Sequence, residues 1–271
     1  MPNLSPQARN YFLANYAVAL SQGQTIRGKA IRTKTIENYL SAAYQLFYDR
    51  RIDYTTVETD YVEVILKTLR DYESVPNRRA MITDGMTRWM SSRAATASPD
   101  SAISAINDWL MIGRYAGLRK SEWCQSSSED FERLENWPNK PSMAFIASDF
   151  TFLGANQEVL TGARLRADLV KYVTICWRHQ KNKQNGQKIT FACDPSHPAF
   201  CPVRAALRIY LRALRLGVPA HEPIGVYRTP SGARRFITDT MVTSFFRDAA
   251  AATLDIKRTS SDIQQWSTHS L

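Results

Sequence analysis

The stretch YAGLRKSEW, residues 115–123, decides how the rest of the chain is read. It follows a helix-period run through Ile103, Ile106 and Leu110, for which Ser98 is a candidate cap and Pro99 a candidate first residue. Gly117 stands where a helix ends in the left-handed region. Leu118 and Arg119 then form the turn into a further helix. A guanidinium on such a turn, with Glu122 three residues on, can by itself be a local ion pair.

Toward the N-terminus the pattern stays helical. Ser5 and Pro6 can cap and start a helix with Phe12, Tyr16 and Leu20 inward. In TKTIENYLSAAYQLFY, residues 33–48, the residues Ile36, Tyr39, Leu40, Ala43, Leu46 and Phe47 form a helical stripe. A third helix carries Val62, Ile65, Leu66 and Leu69. Residues 1–36 hold Arg9, Arg27, Lys29, Arg32 and Lys34 with no Asp or Glu, and Arg27 to Lys34 lead directly into the second helix. Pro76 breaks the periodicity, which puts the boundary between residues 1–76 and 77–271.

Toward the C-terminus the period changes. SMAFIASDFTFLG (142–154), VKYVTICWRHQ (170–180) and QKITFAC (187–193) read as strands, and Asn185-Gly186 signals a hairpin between the last two. CPVRAALRIYLRALRLG (201–217) is the cleanest helix, its inner stripe being Val203, Ala206, Leu207, Tyr210, Leu211 and Leu214, with Gly217 at its end. Arg204, Arg208, Arg212 and Arg215 fall on another face, to be read as solvated or as phosphate contacts. TDTMVTSFFRDAAAATL (238–254) is the last full helix. The fold class expected is α+β, mainly α, with a small antiparallel sheet.

Hydrophobic residues make up 44% and charged residues 22%, the balance of an ordinary globular protein. No apolar run approaches the ~20 residues needed to cross a bilayer, and the start lacks a secretory layout, so no membrane partner and an intracellular location are expected. That means the nucleus in a eukaryote and the cytoplasm in a prokaryote. The net charge is +10. Residues 164–235 alone hold fourteen Lys or Arg against Asp168, Asp194 and Glu222, an excess of eleven. Concentrated positive charge suits a phosphate backbone or forms a solvated face. The four cysteines make no CxxC pair, and CDPSHPAFC (193–201) reads as thiols beside a Pro-rich loop or, with His197, as a fragment of a metal site. The thiol reading is preferred, and no metal or other cofactor is expected.

Three segments occur in order: AGLRKSE (116–122), HQKNKQNGQK (179–188) and THSL (268–271). Together they resemble the tyrosine recombinases, the phage-integrase family of DNA strand-exchange enzymes. The resemblance spans most of the chain, and AGLRKSE is its most specific part. It implies a helical core-binding (SAM-like) domain over 1–76 and a catalytic domain over 77–271. It implies that Arg119 binds the scissile phosphate, that Glu122 braces its turn, and that Lys181, or less favourably Lys183, is the general acid on the hairpin. His269 matches the histidine of the family's HxLR box. The TxxxY pattern ending at Tyr39 is compatible with the helix that lies on DNA, beside Arg27, Lys29, Arg32 and Lys34. The partner implied is double-stranded DNA, with a homo-oligomer on DNA as a further expectation. The wording around CPVRA is similar to that of eukaryotic mobile-element members.

These residue types suit phosphodiester transesterification, in which cationic donors stabilise charge on non-bridging oxygens and a lysine of lowered pKa donates a proton. The family's second arginine, later His/Trp and nucleophilic tyrosine would all fall after His269, and the last of the twelve tyrosines is Tyr227. The polypeptide is therefore expected to bind DNA without cleaving it. It would be either a fragment of a longer recombinase or a remnant that binds without reacting. An unrelated basic helical protein with chance motifs is the remaining reading.

Overall fold

The computed structural model describes residues 4–73, 79–124, 144–178 and 185–267. The chain divides into two units after Asn77. In the first, Ser5 accepts the Ala8 N–H and Pro6 opens α1 (Pro6–Ser21). Next come α2 (Thr33–Asp49) and α3 (Tyr61–Tyr72), the latter capped by Asp60 on the Glu63 N–H. Leu13, Ala17 and Leu20 meet Ile36, Leu40, Phe47 and Val62 in one core.

The buried face of α1 differs from the expected one. Phe12 and Tyr16 are exposed, and Arg9 and Asn10 are buried beside Leu13 and Ala17. The reason is polar. Asn10 Oδ1 accepts the Tyr61 N–H (2.8 Å), Asn10 Nδ2 donates to Asp60 (3.0 Å), and Arg9 donates to the Asp53 carbonyl. These bonds serve backbone groups before and at the head of α3 and fix the rotation of α1. On α2, Ile36, Leu40 and Phe47 are buried, whereas Tyr39 and Leu46 face solvent. With two neighbouring helices the seam is narrower than the full apolar stripe.

The second unit is organised around α5 (Ala102–Ala116), in which every residue from Ser104 to Gly113 is buried. A helix covered on all sides needs neighbours on all sides. They include α4 (Asp84–Ala95), the four-residue α6 (Lys120–Trp123) that continues from its end, and α7 (Pro202–Arg215); α8 (Asp239–Thr253) packs on α4. The cap of α5 is Ser101, on the Ser104 N–H, not Ser98. Pro99 and Asp100 stay in the preceding turn because their oxygens are occupied. Arg212 Nε donates to the Pro99 carbonyl (2.9 Å), Arg215 to the Asp100 carboxylate (2.6 Å), and the Arg228 N–H to the Asp100 carbonyl (2.8 Å).

The arginine face of α7 is neither of the two things its sequence offered. Arg208 and Arg212 both turn onto Asp108 of α5, at 2.6 Å and 2.5 Å, and the Asp108 and Arg212 side chains are only 3% and 2% exposed. Leu214, expected inside, is exposed because Arg212 and Ala213 face the core at that level.

Strands β1 (Phe150–Leu153), β2 (Tyr172–Trp177) and β3 (Gln187–Ala192) form an antiparallel sheet in that order, with Phe150 opposite Ile175 and Trp177 opposite Gln187. Val173, Ile175 and Trp177 point to the core at the alternation a strand dictates. Ahead of β1, Ala147–Asp149 is a 3-10 turn rather than strand. There Asp149 accepts the Ile146 N–H and the Arg178 guanidinium. A second hairpin, β4 (Val226–Arg228) with β5 (Arg234–Phe236), turns through Pro230 and Gly232, a feature the periodicity does not mark. Among the described residues there are eight α-helices and two small antiparallel sheets, an α+β fold dominated by helix. None of these helices is long and apolar enough to cross a membrane.

Removing one partner from a buried ion pair strands the other charge. Asp108→Ala is therefore expected to lower the stability of the second unit by about 3–5 kcal/mol. Arg215→Ala, at a half-exposed pair, should cost under about 1 kcal/mol. All six tryptophans lie after residue 77, so urea denaturation followed by tryptophan fluorescence reads this unit alone.

Candidate nucleic-acid interface

The turn at Arg119 is built from both sides. At the end of α5, Gly117 adopts φ +61° and its N–H bonds the Gly113 carbonyl at 2.8 Å. No atom stands within 4 Å of where a Cβ would go, so the demand for glycine is backbone strain alone. Leu118 and Trp123 are buried and pin the turn to the core, where Trp123 stacks with Trp109 at a ring separation of 6.0 Å. Gly225 passes so close that a Cβ there would fall against the Trp123 carbonyl oxygen. Packing on both flanks leaves Arg119 and Ser121 exposed between them.

Glu122 holds Arg119 there. Its carboxylate is 2% exposed, accepts the Arg119 backbone N–H at 2.9 Å and stands 3.5 Å from Arg119 Nη1. The Glu122 N–H returns a bond to the Arg119 carbonyl at 2.9 Å. The Arg119 side chain itself is 44% exposed, so part of its fork is braced and the rest faces water. Lys120 beside it reaches Asp239 in the first turn of α8, at 3.0 Å. The local pair with Glu122 thus forms, and the guanidinium keeps part of its surface in water.

The other members of the expected constellation, Lys181, Lys183 and His269, lie outside the described residues. The hairpin that would carry the lysines is present, β2 pairing with β3 as far as Trp177 and Gln187. Gly186, at φ +81°, donates to the Trp177 carbonyl at 2.6 Å. Before residue 268 the chain forms a short 3-10 turn, Ser261–Gln265, and buries Trp266. Arg247 donates to the Trp266 carbonyl (3.1 Å) and Arg79 to the Gln264 carbonyl. Burial, then the nearby Arg258 and Arg79 charges, pulls the Arg247 pKa below its ordinary value. Two guanidinium groups thus bond the segment leading to His269, and Arg258, paired with Asp248 at 2.7 Å, lies near Arg247. Sequence reading missed them because Arg79 is remote from Arg247 along the chain and neither belongs to a motif.

In the first unit, residues 22–32 form the exposed arm between α1 and α2. Thr25 Oγ1 accepts the Lys29 N–H and donates to the Lys29 carbonyl, both at 3.1 Å, which ties the tip into a loop. Arg27 and Lys29 are exposed and form no ion pair among the described residues. Arg32 and Lys34 are partly neutralised, by Glu73 at 4.0 Å and by Glu37 at 3.0 Å. The arm free of acid in sequence thus acquires two carboxylates in space. Hydrogen bonds from Lys34 and then Arg70 hold the Glu37 carboxyl below the usual range. Tyr39, exposed on α2, stands on the outer face of the same unit.

His197 of CDPSHPAFC pairs with Asp194 at 3.2 Å. Among the described residues no three His, Cys, Asp or Glu side chains stand close enough to hold a metal ion. A comparison with models of known protein families finds no match, and one with curated proteins finds none either.

A charge-assisted bond to a buried backbone N–H is worth about 1.5–3 kcal/mol. Glu122→Ala should therefore lower urea stability by that amount, and Glu122→Gln, which keeps an acceptor, by less. Tryptophan fluorescence of the second unit reads both.

Proposed function

We propose that this chain is a duplex-DNA-binding protein of the tyrosine-recombinase type, with residues 1–76 as a helical core-binding domain and residues 77–271 as a catalytic-type domain. In this reading Arg119 binds one backbone phosphate through the donors that Glu122 leaves free. Lys181, with Lys183 as the alternative, protonates the leaving 5′ oxygen, and His269 completes the phosphate site. Arg27, Lys29, Arg32, Lys34 and Tyr39 contact the DNA backbone from the first unit.

The observation that carries the proposal is the Arg119 turn: an arginine pushed outward by two buried neighbours and oriented by a buried carboxylate. A guanidinium placed this way loses little freedom on meeting a phosphate and donates two parallel bonds to it. Arg79 and Arg247, which donate to the Gln264 and Trp266 carbonyls, support the reading by adding positive charge beside the segment before His269. In such chemistry a tyrosine attacks the phosphorus and conserves the bond energy in a 3′-phosphotyrosyl link. The twelve tyrosines of these 271 residues all precede His269. Duplex binding is the activity assigned to these 271 residues. No metal or nucleotide enters the scheme.

Fluorescence anisotropy with a labelled duplex tests the assignment. Affinity should fall steeply between about 50 and 200 mM salt, by roughly 10³-fold if six or more phosphates are neutralised. Replacing Arg27, Lys29, Arg32 and Lys34 together by alanine should weaken binding strongly and lower the log–log salt slope by about one for each phosphate that goes without its cation. Arg119→Ala should weaken it much less, since it affects one phosphate among many. Salt-independent binding, or the reverse ranking of the two variants, overturns the proposal.

A further inference from the structure

The loop CDPSHPAFC contains an arrangement that DNA binding does not use. Cys193 follows the end of β3, and Cys201 is the residue before Pro202 at the start of α7. Their sulfurs stand 3.7 Å apart. All four cysteines are free. The loop is fixed at both ends and in the middle. The Cys193 N–H bonds the Lys171 carbonyl (2.7 Å), and Cys201 Sγ accepts the Asp194 N–H (3.3 Å). Asp194 also takes the Ser196 N–H (2.8 Å) and the His197 ring (3.2 Å), and the Phe200 N–H bonds the His197 carbonyl (3.0 Å). Cys193 is partly exposed, Cys201 is buried, and the Arg204 guanidinium, its Nε buried without a hydrogen-bond partner, lies beside Cys193.

We propose that Cys193 and Cys201 form a thiol-modification site, which a peroxide or a small-molecule disulfide converts into an intrachain disulfide. A bond length of about 2.05 Å requires the sulfurs to approach by less than about 2 Å, which side-chain rotation supplies. With hydrogen peroxide, the Cys193 thiolate attacks one oxygen, breaks the O–O bond, and leaves a sulfenic acid and hydroxide. The Cys201 sulfur then displaces the sulfenic oxygen, and its own proton leaves with that oxygen as water. Two thiols and one peroxide become one disulfide and two waters. Cys193 meets the oxidant because it is the exposed member, and Cys201 resolves it. Burial holds the Cys193 thiol above its ordinary pKa, with Arg204 drawing it back, so the pair closes slowly. Closure ties the end of β3 to the head of α7 across the loop that carries His197 and Phe200 into a surface cleft with Arg88 and Arg114. This inference is independent of the DNA reading.

The test uses the full chain, folded, with excess hydrogen peroxide in one arm and oxidised glutathione in the other. After quenching, unfolding and alkylation, the product is digested with trypsin. Peptide Ile189–Arg204 contains both cysteines, so closure appears as the loss of two hydrogens and of both alkylation sites, reversed by dithiothreitol. The melting temperature of the oxidised chain should rise by a few degrees. In Cys201→Ser, peroxide should leave a Cys193 sulfenic acid that dimedone traps. The proposal is overturned if both thiols remain alkylatable while Cys124 or Cys176 is oxidised. It is equally overturned if glutathione stays on Cys193 without resolving to the internal bond.

Discussion

One carboxylate organises the second unit. Asp108 sits in the middle of a helix buried on every side, where an unpaired charge would cost several kcal/mol. It is tolerated because α7 brings Arg208 and Arg212 onto its two oxygens. Arg212 also reaches the Pro99 carbonyl, so the same side chain fixes the turn that starts α5. Ridge-and-groove packing of apolar residues would let α7 slide by a turn along α5 at modest cost. A carboxylate with two guanidinium partners does not permit that shift. The registration runs down α5 to Gly117, and the position of Arg119 is a downstream result of it.

The sequence is informative where a local rule has one solution. Gly117 ends a helix, Ser5-Pro6 starts one, Asn185-Gly186 marks the return of a hairpin, and the Val173–Trp177 alternation is a half-buried strand; each of these stands in the structure. It misleads where a polar residue outcompetes an apolar one for the inside. Asn10 and Arg9 turn α1 so that Phe12 and Tyr16 lie outside, and nothing in the helical period of that segment reveals the Tyr61 N–H and the Asp53 carbonyl they serve. Ser98 fails as a cap for a related reason: partners from α7 and β4, more than a hundred residues on, hold Pro99 and Asp100 in a turn. At the candidate site the Arg119–Glu122 pair is local and legible. The grouping of Arg79 with Arg247 is not, since it exists only once the two ends of the unit meet.

Counting charge along the chain also differs from counting it on the surface. The run of arginines in α7 contributes heavily to the positive excess of residues 164–235, yet Arg208, Arg212 and Arg215 are neutralised by carboxylates of α5 and the turn before it. Arg27 and Lys29 contribute little to the total and are the cations left unpaired in their unit's arm. What a phosphate backbone would meet is the second kind. A helix rich in arginine can therefore be structural while a short loop leaves its two cations without a carboxylate partner.

The first and last described residues of the second unit clasp each other. The Ala80 N–H bonds the Gln265 carbonyl at 3.0 Å, Arg79 reaches Gln264, and the Trp266 indole donates to the Met81 carbonyl at 3.3 Å. Two segments 185 residues apart in the chain therefore share one set of backbone bonds, so that fraying of either strips the other of its partners.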